Sequence, residues 1–154
     1  MTPSSKCIDF IKSFEQCRLT AYMPTPRDRP RIGWGTTGPD VRRGMTWTQA
    51  QADARFARDL ADFAAGVTHE LQGRPTTQGQ FDALVSFAYN VGLDDDADTL
   101  AEGLGDSSLL KKHLAGDYEG AAAQFALWNK QGHIVLSGLT RRRAGEAAMY
   151  RGQA

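Results

Sequence analysis

Apolar positions recur at helical spacing in several stretches of the chain. Ile8, Ile11 and Phe14 lie three apart behind Ser4 and Ser5, either of which can cap, and this predicts a first helix through about Arg18. Thr46-Trp47-Thr48-Gln49 reads as a capping box. The helix it opens runs to about Leu71, with Ala52, Phe56, Leu60, Phe63 and Val67 on one stripe and Arg55, Arg58 and Asp59 facing water. Gly73-Arg74-Pro75 ends it. Thr76 or Thr77 then caps the most apolar helix, Gln80 to Val91, which carries Phe81, Leu84, Val85, Ala88 and Val91 on one face and stops at Gly92. Shorter helices follow from Ser107 or Ser108 to Ala115 and from Asp117 to about Trp128. A last one begins at Ser137 or Gly138, with Arg141 to Arg143 on its exposed side.

The helical period fails twice. Prolines at 24, 26 and 30 exclude helix from residues 21–46. Arg31 to Thr36 there predicts a short strand, one edge of a small hairpin or three-stranded sheet. Residues 93–106 carry Asp94, Asp95, Asp96, Asp98 and Glu102 without any period. They imitate the opening of a calcium loop, but Thr99 and Gly105 stand where its Gly and Glu are required, which favours a solvated loop. No repeat or linker interrupts the 154 residues. The expected architecture is a single domain over 1–154, α+β and mostly helical, with a small sheet near its N-terminal end.

Eighteen Lys and Arg balance eighteen Asp and Glu, and the pI is about 6.8. That removes the global basic surplus that nonspecific nucleic-acid binding needs. No window approaches the ~18 apolar residues of a membrane span, and the N-terminus leads into an amphipathic helix, so neither membrane insertion nor a signal segment is expected. Cys7 and Cys17 sit ten residues apart on one predicted helix, about 15 Å, which argues for two reduced thiols. His69, His113 and His133 lack metal-ligand spacing, and no P-loop or Ser-His-Asp order is visible; no cofactor is expected.

Candidate chemistry begins at Glu15. It falls in the predicted last turn of the first helix, where the dipole disfavours a carboxylate and so favours the protonated form a general acid uses. Tyr22 follows, and then Ile32-Gly33-Trp34-Gly35-Thr36-Thr37. A Glu at a helix end is by itself usually solvated. Further blocks come in order: Gln80-Phe81-Asp82-Ala83-Leu84-Val85-Ser86-Phe87-Ala88-Tyr89-Asn90-Val91-Gly92, Leu109-Leu110, Ala115-Gly116-Asp117-Tyr118 and Gly138-Leu139 with Arg142-Arg143. Together they resemble the phage-type lysozymes, the endolysins of glycoside hydrolase family 24, over nearly the whole chain.

The resemblance implies a lysozyme-like fold and cleavage of the bond between N-acetylmuramic acid and N-acetylglucosamine in peptidoglycan. It makes Glu15 the general acid. The family's water-holding Asp, two residues after the Tyr, is Pro24 here, and its Thr before the Ile-Gly strand is Arg31. Asp28, on the same loop, is the candidate replacement, with Thr25 assisting; the other reading pairs Asp28 with Arg27, Arg29 or Arg31. Tyr22, Arg31 and Trp34 are candidates for holding substrate or orienting the acid. In the family an Arg of the final helix reaches the Glu, which points to Arg141 or Arg142, against the alternative of a solvated basic face. The expected partner is bacterial peptidoglycan, approached by a monomer from the host cytoplasm through a lesion made by a holin. Two other functions fit the loss at Pro24: a lytic transglycosylase, which needs no water-holding acid, and a glycan-binding module that has lost catalysis.

Overall fold

Local capping decides where most elements begin. The computed structural model describes residues 1–153. Helix α1 (Ser5–Phe14) is capped by Ser4, whose Oγ accepts from the Cys7 amide at 3.3 Å. Strand β1 (Arg18–Tyr22) pairs antiparallel with β2 (Arg31–Gly33). Helix α2 (Gln49–Glu70) opens on a reciprocal capping box in which the Gln51 amide donates to Thr48 Oγ1 at 3.1 Å and the Thr48 amide to Gln51 Oε1 at 2.8 Å. Helix α3 (Gln78–Val91) repeats that device with Thr77 and Gln80 and ends at Gly92. Ser107 caps α4 (Ser108–Leu114) and Asp117 caps α5 (Tyr118–Gln124), which passes into a 3-10 turn, Phe125–Leu127. A two-residue hairpin, β3 (Lys130–Gln131) and β4 (Ile134–Val135), precedes α6 (Ser137–Tyr150).

The α+β class expected from the sequence is observed, with four local corrections. The first helix stops at Phe14 instead of reaching Arg18, so Glu15 lies just past it; its amide still donates to the Ile11 carbonyl at 3.1 Å. Residues 18–22 extend because they have partners on both sides. One is β2; the other is segment 45–47, joined by Ala21 N to Met45 O and Trp47 N to Leu19 O, both 2.8 Å. Cys17 is therefore not helical, and both cysteines are free thiols. The capping box of α2 is Thr48/Gln51, because Thr46 is taken by a bridge to Thr20. The β3–β4 hairpin is an element the hydrophobic pattern does not announce.

The chain divides into two units, Asp9–Asp62 and a second made of Met1–Ile8 with Phe63 onward. In the first, Ile11, Ile32, Val41, Ala52, Phe56 and Leu60 are buried. In the second, α3 supplies the centre: Phe81, Ala83, Leu84, Val85, Phe87 and Ala88 are all fully buried. Phe87 meets Phe125 and Trp128 edge-on at 5.6 and 5.2 Å. Asp82 of α3 fastens the chain's start, accepting from the Ser4 amide at 3.0 Å, from Ser4 Oγ, and from Gln78 Nε2 at 2.8 Å. The Cys7 thiol donates to the Asp82 carbonyl, and burial pushes it up to about 12, which leaves it inert.

Two polar groups are built into that interior. Arg142 and Arg143, expected on a solvated face, are buried at 3% and 0% exposure, and Glu146 between them is fully buried. Glu146 Oε1 accepts from Ser86 Oγ at 2.7 Å, Arg143 Nη2 at 2.9 Å and Arg142 Nε at 3.3 Å. Arg143 Nε lies 2.6 Å from Oε2, a charge contact too oblique to be a hydrogen bond. Arg143 also stacks on Phe87 at 5.0 Å. Burial pushes the Glu146 carboxyl up and the Arg143 guanidinium down, each opposed by the other's charge.

The second group is His113, fully buried, with Nε2 2.9 Å from Thr76 Oγ1 and Nδ1 2.5 Å from Tyr150 Oη. The Thr76 hydroxyl donates to the Arg74 carbonyl at 3.0 Å, so Nε2 carries the hydrogen toward Thr76. Nδ1 is left to accept from Tyr150, whose hydroxyl burial pushes up and keeps protonated.

Two predictions follow from these groups. Glu146→Met removes the carboxylate that faces the buried Arg143 and Arg142 guanidiniums and is expected to cost about 3–5 kcal/mol, read as a thermal midpoint lower by roughly 10 °C. Burial lowers the affinity of His113 for a proton. As pH falls below its unfolded value of about 6.5, the unfolded chain binds more protons than the folded one, and stability is lost. The fall in thermal midpoint between pH 7.5 and 5 is expected to be shallower in His113→Gln than in the parent.

Candidate active site

Glu15 stands against a turn built on two glycines at positive φ. Ile32 and Thr36 exchange both backbone hydrogen bonds, at 3.0 and 2.9 Å, and enclose Gly33-Trp34-Gly35. Gly35 has φ +87°, and a Cβ on it would stand 2.7 Å from Glu15 Oε2 and 3.2 Å from Glu15 Cδ. Gly33 has φ +63°, and a Cβ there would press on the Trp47 ring at 3.1 Å and on Ala52 at 3.4 Å. The Ile-Gly-Trp-Gly segment thus brings backbone to a carboxyl on one side and to α2 on the other.

A chain of polar contacts ties this turn to α2. Thr36, buried, donates from Oγ1 to Asp59 Oδ2 at 3.3 Å. Arg55 Nε donates to Asp59 Oδ1 at 2.8 Å, and its other two nitrogens grip Asp40 at 2.5 and 3.2 Å. That hydrogen bonding from Arg55 holds the Asp40 carboxyl below the usual range. Arg55 and Asp59 were expected to face water, and only Arg58 does so. Their i, i+4 spacing was visible in the sequence, but the third member, Asp40, comes from a distant loop. Trp34 is oriented by Nε1, which donates to Asp53 Oδ1 at 2.9 Å beside Gln49 Nε2, also at 2.9 Å. Those two donors, Trp34 foremost, keep Asp53 low. Lys12 Nζ stands 4.8 Å from the Trp34 ring centroid.

Tyr22 and Arg31 face each other across the β1–β2 register, and the Arg18 guanidinium lies 4.5 Å over the Tyr22 ring. Beyond Tyr22 the loop folds into a turn: the Asp28 amide donates to the Thr25 carbonyl at 3.1 Å, and Thr25 Oγ1 donates to Asp28 Oδ2 at 3.0 Å. Asp28 forms no ion pair with Arg27, Arg29 or Arg31 among the described residues. The structure therefore brings Thr25 to Asp28, Tyr22 to Arg31, and the Trp34 turn to Glu15. Arg141 is exposed on α6, whereas Arg142 is buried beside Glu146.

For the acidic segment, Asp94, Asp96 and Asp106 bring carboxylate oxygens within 4.8 Å of one another. Asp94 Oδ2 already accepts from the amides of Glu102 and Gly103, at 2.9 and 3.0 Å, which gives it a role in shaping the loop.

Helix, hairpin, long helix and a set of shorter helices around α3 make up the lysozyme-like α+β fold. The chain belongs to the phage lysozyme family, whose model matches residues 12–146. It is 42% identical to the endolysin of Bacillus phage PZA over 151 residues, 97% of this chain and 55% of that protein. The endolysin from Escherichia coli O157:H7 phage FAHEc1 has the same fold, with a TM-score of 0.83 at 36% identity over 100% of this chain and 96% of that one. The muramidase domain of SpmX from Asticaccaulis excentricus gives 0.81 at 33% identity, covering 97% of each. The chain spans 54% to 60% of the length of the first curated relatives it matches.

Gly35→Ala is expected to cost about 1–2 kcal/mol for its left-handed backbone and, in addition, to displace the Glu15 carboxyl, read as the loss of any clearing of a bacterial wall suspension that the parent gives. Gly44→Ala is the control: its φ of +77° is similar and nothing lies within 4 Å of a Cβ there. It should lower the thermal midpoint comparably and leave clearing intact.

Proposed function

We propose that the chain is a peptidoglycan-degrading lysozyme that hydrolyses the β-1,4 bond between N-acetylmuramic acid and N-acetylglucosamine. The observation that carries this is the seat of Glu15 against the Gly35 backbone, supported by membership of a family whose relatives are endolysins. Glu15 gives its proton to the glycosidic oxygen as the bond to the anomeric carbon breaks. A water held on the opposite sugar face attacks that carbon, and Asp28 accepts its proton, with Thr25 holding the Asp28 carboxyl in place. The two carboxyls of such an inverting pair work about 6.5–9.5 Å apart, which leaves room for the water. Tyr22, Arg31 and Trp34 would line the sugar path, and Arg141 or Arg142 would orient the acid.

Pro24 and Arg31, where the resembling enzymes carry Asp and Thr, favour a second reading. A lytic transglycosylase lets the muramic acid 6-hydroxyl attack the anomeric carbon, which gives a 1,6-anhydro end and needs only Glu15. Among the described residues no helix is long and apolar enough to cross a membrane. In a lytic cycle this chain would reach the wall through a holin lesion.

Mass spectrometry of digested, purified peptidoglycan separates these chemistries. Hydrolysis yields reducing-end muropeptides, and transglycosylation yields anhydro ends. No release from folded protein would leave only a glycan-binding role. Glu15→Gln is expected to reduce release by about 10²–10⁴-fold. Asp28→Asn is expected to reduce it by about 10²-fold if water is the nucleophile, and to leave it unchanged if anhydro ends form.

A further inference from the structure

The chain's net charge of zero conceals a strong separation. Residues 18–43 hold six arginines and no lysine against two aspartates, Asp28 and Asp40, a net charge of +4; the balancing acids are concentrated in residues 93–106, which hold six acids and no base. Asp40 is committed to Arg55. The pairing of the sheet gathers the arginines at one end. Arg31 is opposite Tyr22, Arg43 Nη2 donates to Met23 Sδ at 3.0 Å, Arg42 closes the turn to Met45, and the loop between the strands supplies Arg27 and Arg29. Arg27, Arg29, Arg42 and Arg43 are exposed, and Arg31 is half-buried. None of the five forms an ion pair among the described residues. A folded surface usually intersperses its charges; five unneutralised guanidiniums around one loop make a field that attracts a dense, repeating anion. Arginine used to the exclusion of lysine suits bidentate oxyanions such as phosphate.

We propose that this arginine tip binds a phosphodiester polymer attached to the cell wall and so holds the chain on its substrate. The inference rests on the peptidoglycan reading above. A polymer with an anion in every repeat offers such a cluster several contacts at once. The contacts are exposed and screened by salt, so the gain is retention on the wall and not a contribution to bond cleavage.

Co-sedimentation with walls tests it, using Glu15→Gln protein so that the walls are not consumed. Walls retaining their phosphodiester polymer are expected to bind about tenfold more tightly than walls stripped of it, as four exposed ion pairs of modest strength would give. That preference should vanish in Arg27→Gln/Arg29→Gln/Arg42→Gln/Arg43→Gln and shrink to about threefold in Arg27→Gln/Arg29→Gln alone. It should persist in Arg58→Gln/Arg74→Gln/Lys111→Gln/Lys130→Gln, which removes equal charge from exposed sites elsewhere. The proposal is overturned if the tip variant keeps the preference, or if the control set loses as much. It is also overturned if a DNA oligonucleotide competes as well as poly(glycerol phosphate) of equal phosphate number. Muropeptide release from stripped walls by the parent protein is read separately, so a failure of the peptidoglycan reading shows there and not in the preference.

Discussion

The contact between the backbone of Gly35 and the carboxyl of Glu15 sets the terms for the rest of unit Asp9–Asp62. A Cβ at that position would displace the carboxylate, and the backbone there, at φ +87°, is one that L side chains rarely adopt. A tight glycine turn is entropically weak by itself. The surrounding contacts supply what it lacks: the Ile32–Thr36 bridge closes it, Thr36 anchors it to Asp59, and Asp59 is steadied by Arg55 and Asp40. Trp34, at its apex, is held by Asp53. The turn beside Glu15 is thus held by main chain and by helix α2.

The other unit is stabilised differently. Its aromatic interior around Phe87 is large enough to enclose charge, and it encloses Glu146 with two arginines and neutral His113 between Thr76 and Tyr150. Such groups contribute less to stability than an apolar replacement of the same shape often would, but breaking them is costly. Ser86 and both arginines converge on a single carboxylate, and the Thr76 hydroxyl fixes the tautomer of His113. Both networks join α6 to the elements packed around it.

What the sequence made legible was whatever is settled within a few residues. Asp117 was readable as a cap, and Thr77 and Ser107 each as one of two neighbours, because a cap is a side chain bonding to an amide two or three positions on. That Glu15 and the Gly33–Gly35 turn lie together was readable because the two segments are close in the chain and both match blocks of the family. Strand β1 was hidden, since its partners lie across the proline loop and again near Met45. The burial of Arg142 and Arg143 was hidden for the same reason. A basic run is solvated by default, and Ser86 and Phe87, which help to enclose these two, lie far off on α3. The link from Asp40 through Arg55 and Asp59 to Thr36 joins the loop 36–40 to α2, and no local pattern encodes it.

Pro24, Pro26 and Pro30 frame the turn in which Thr25 holds Asp28. Proline narrows the conformations open to a chain before it folds. The position of Asp28 is therefore secured in part by what the unfolded loop cannot do, over and above the few contacts the folded loop makes. A stiffness of that origin does not melt with neighbouring contacts. Warming that loosens side-chain packing elsewhere in the unit should leave the spacing of Thr25 and Asp28 nearly unchanged.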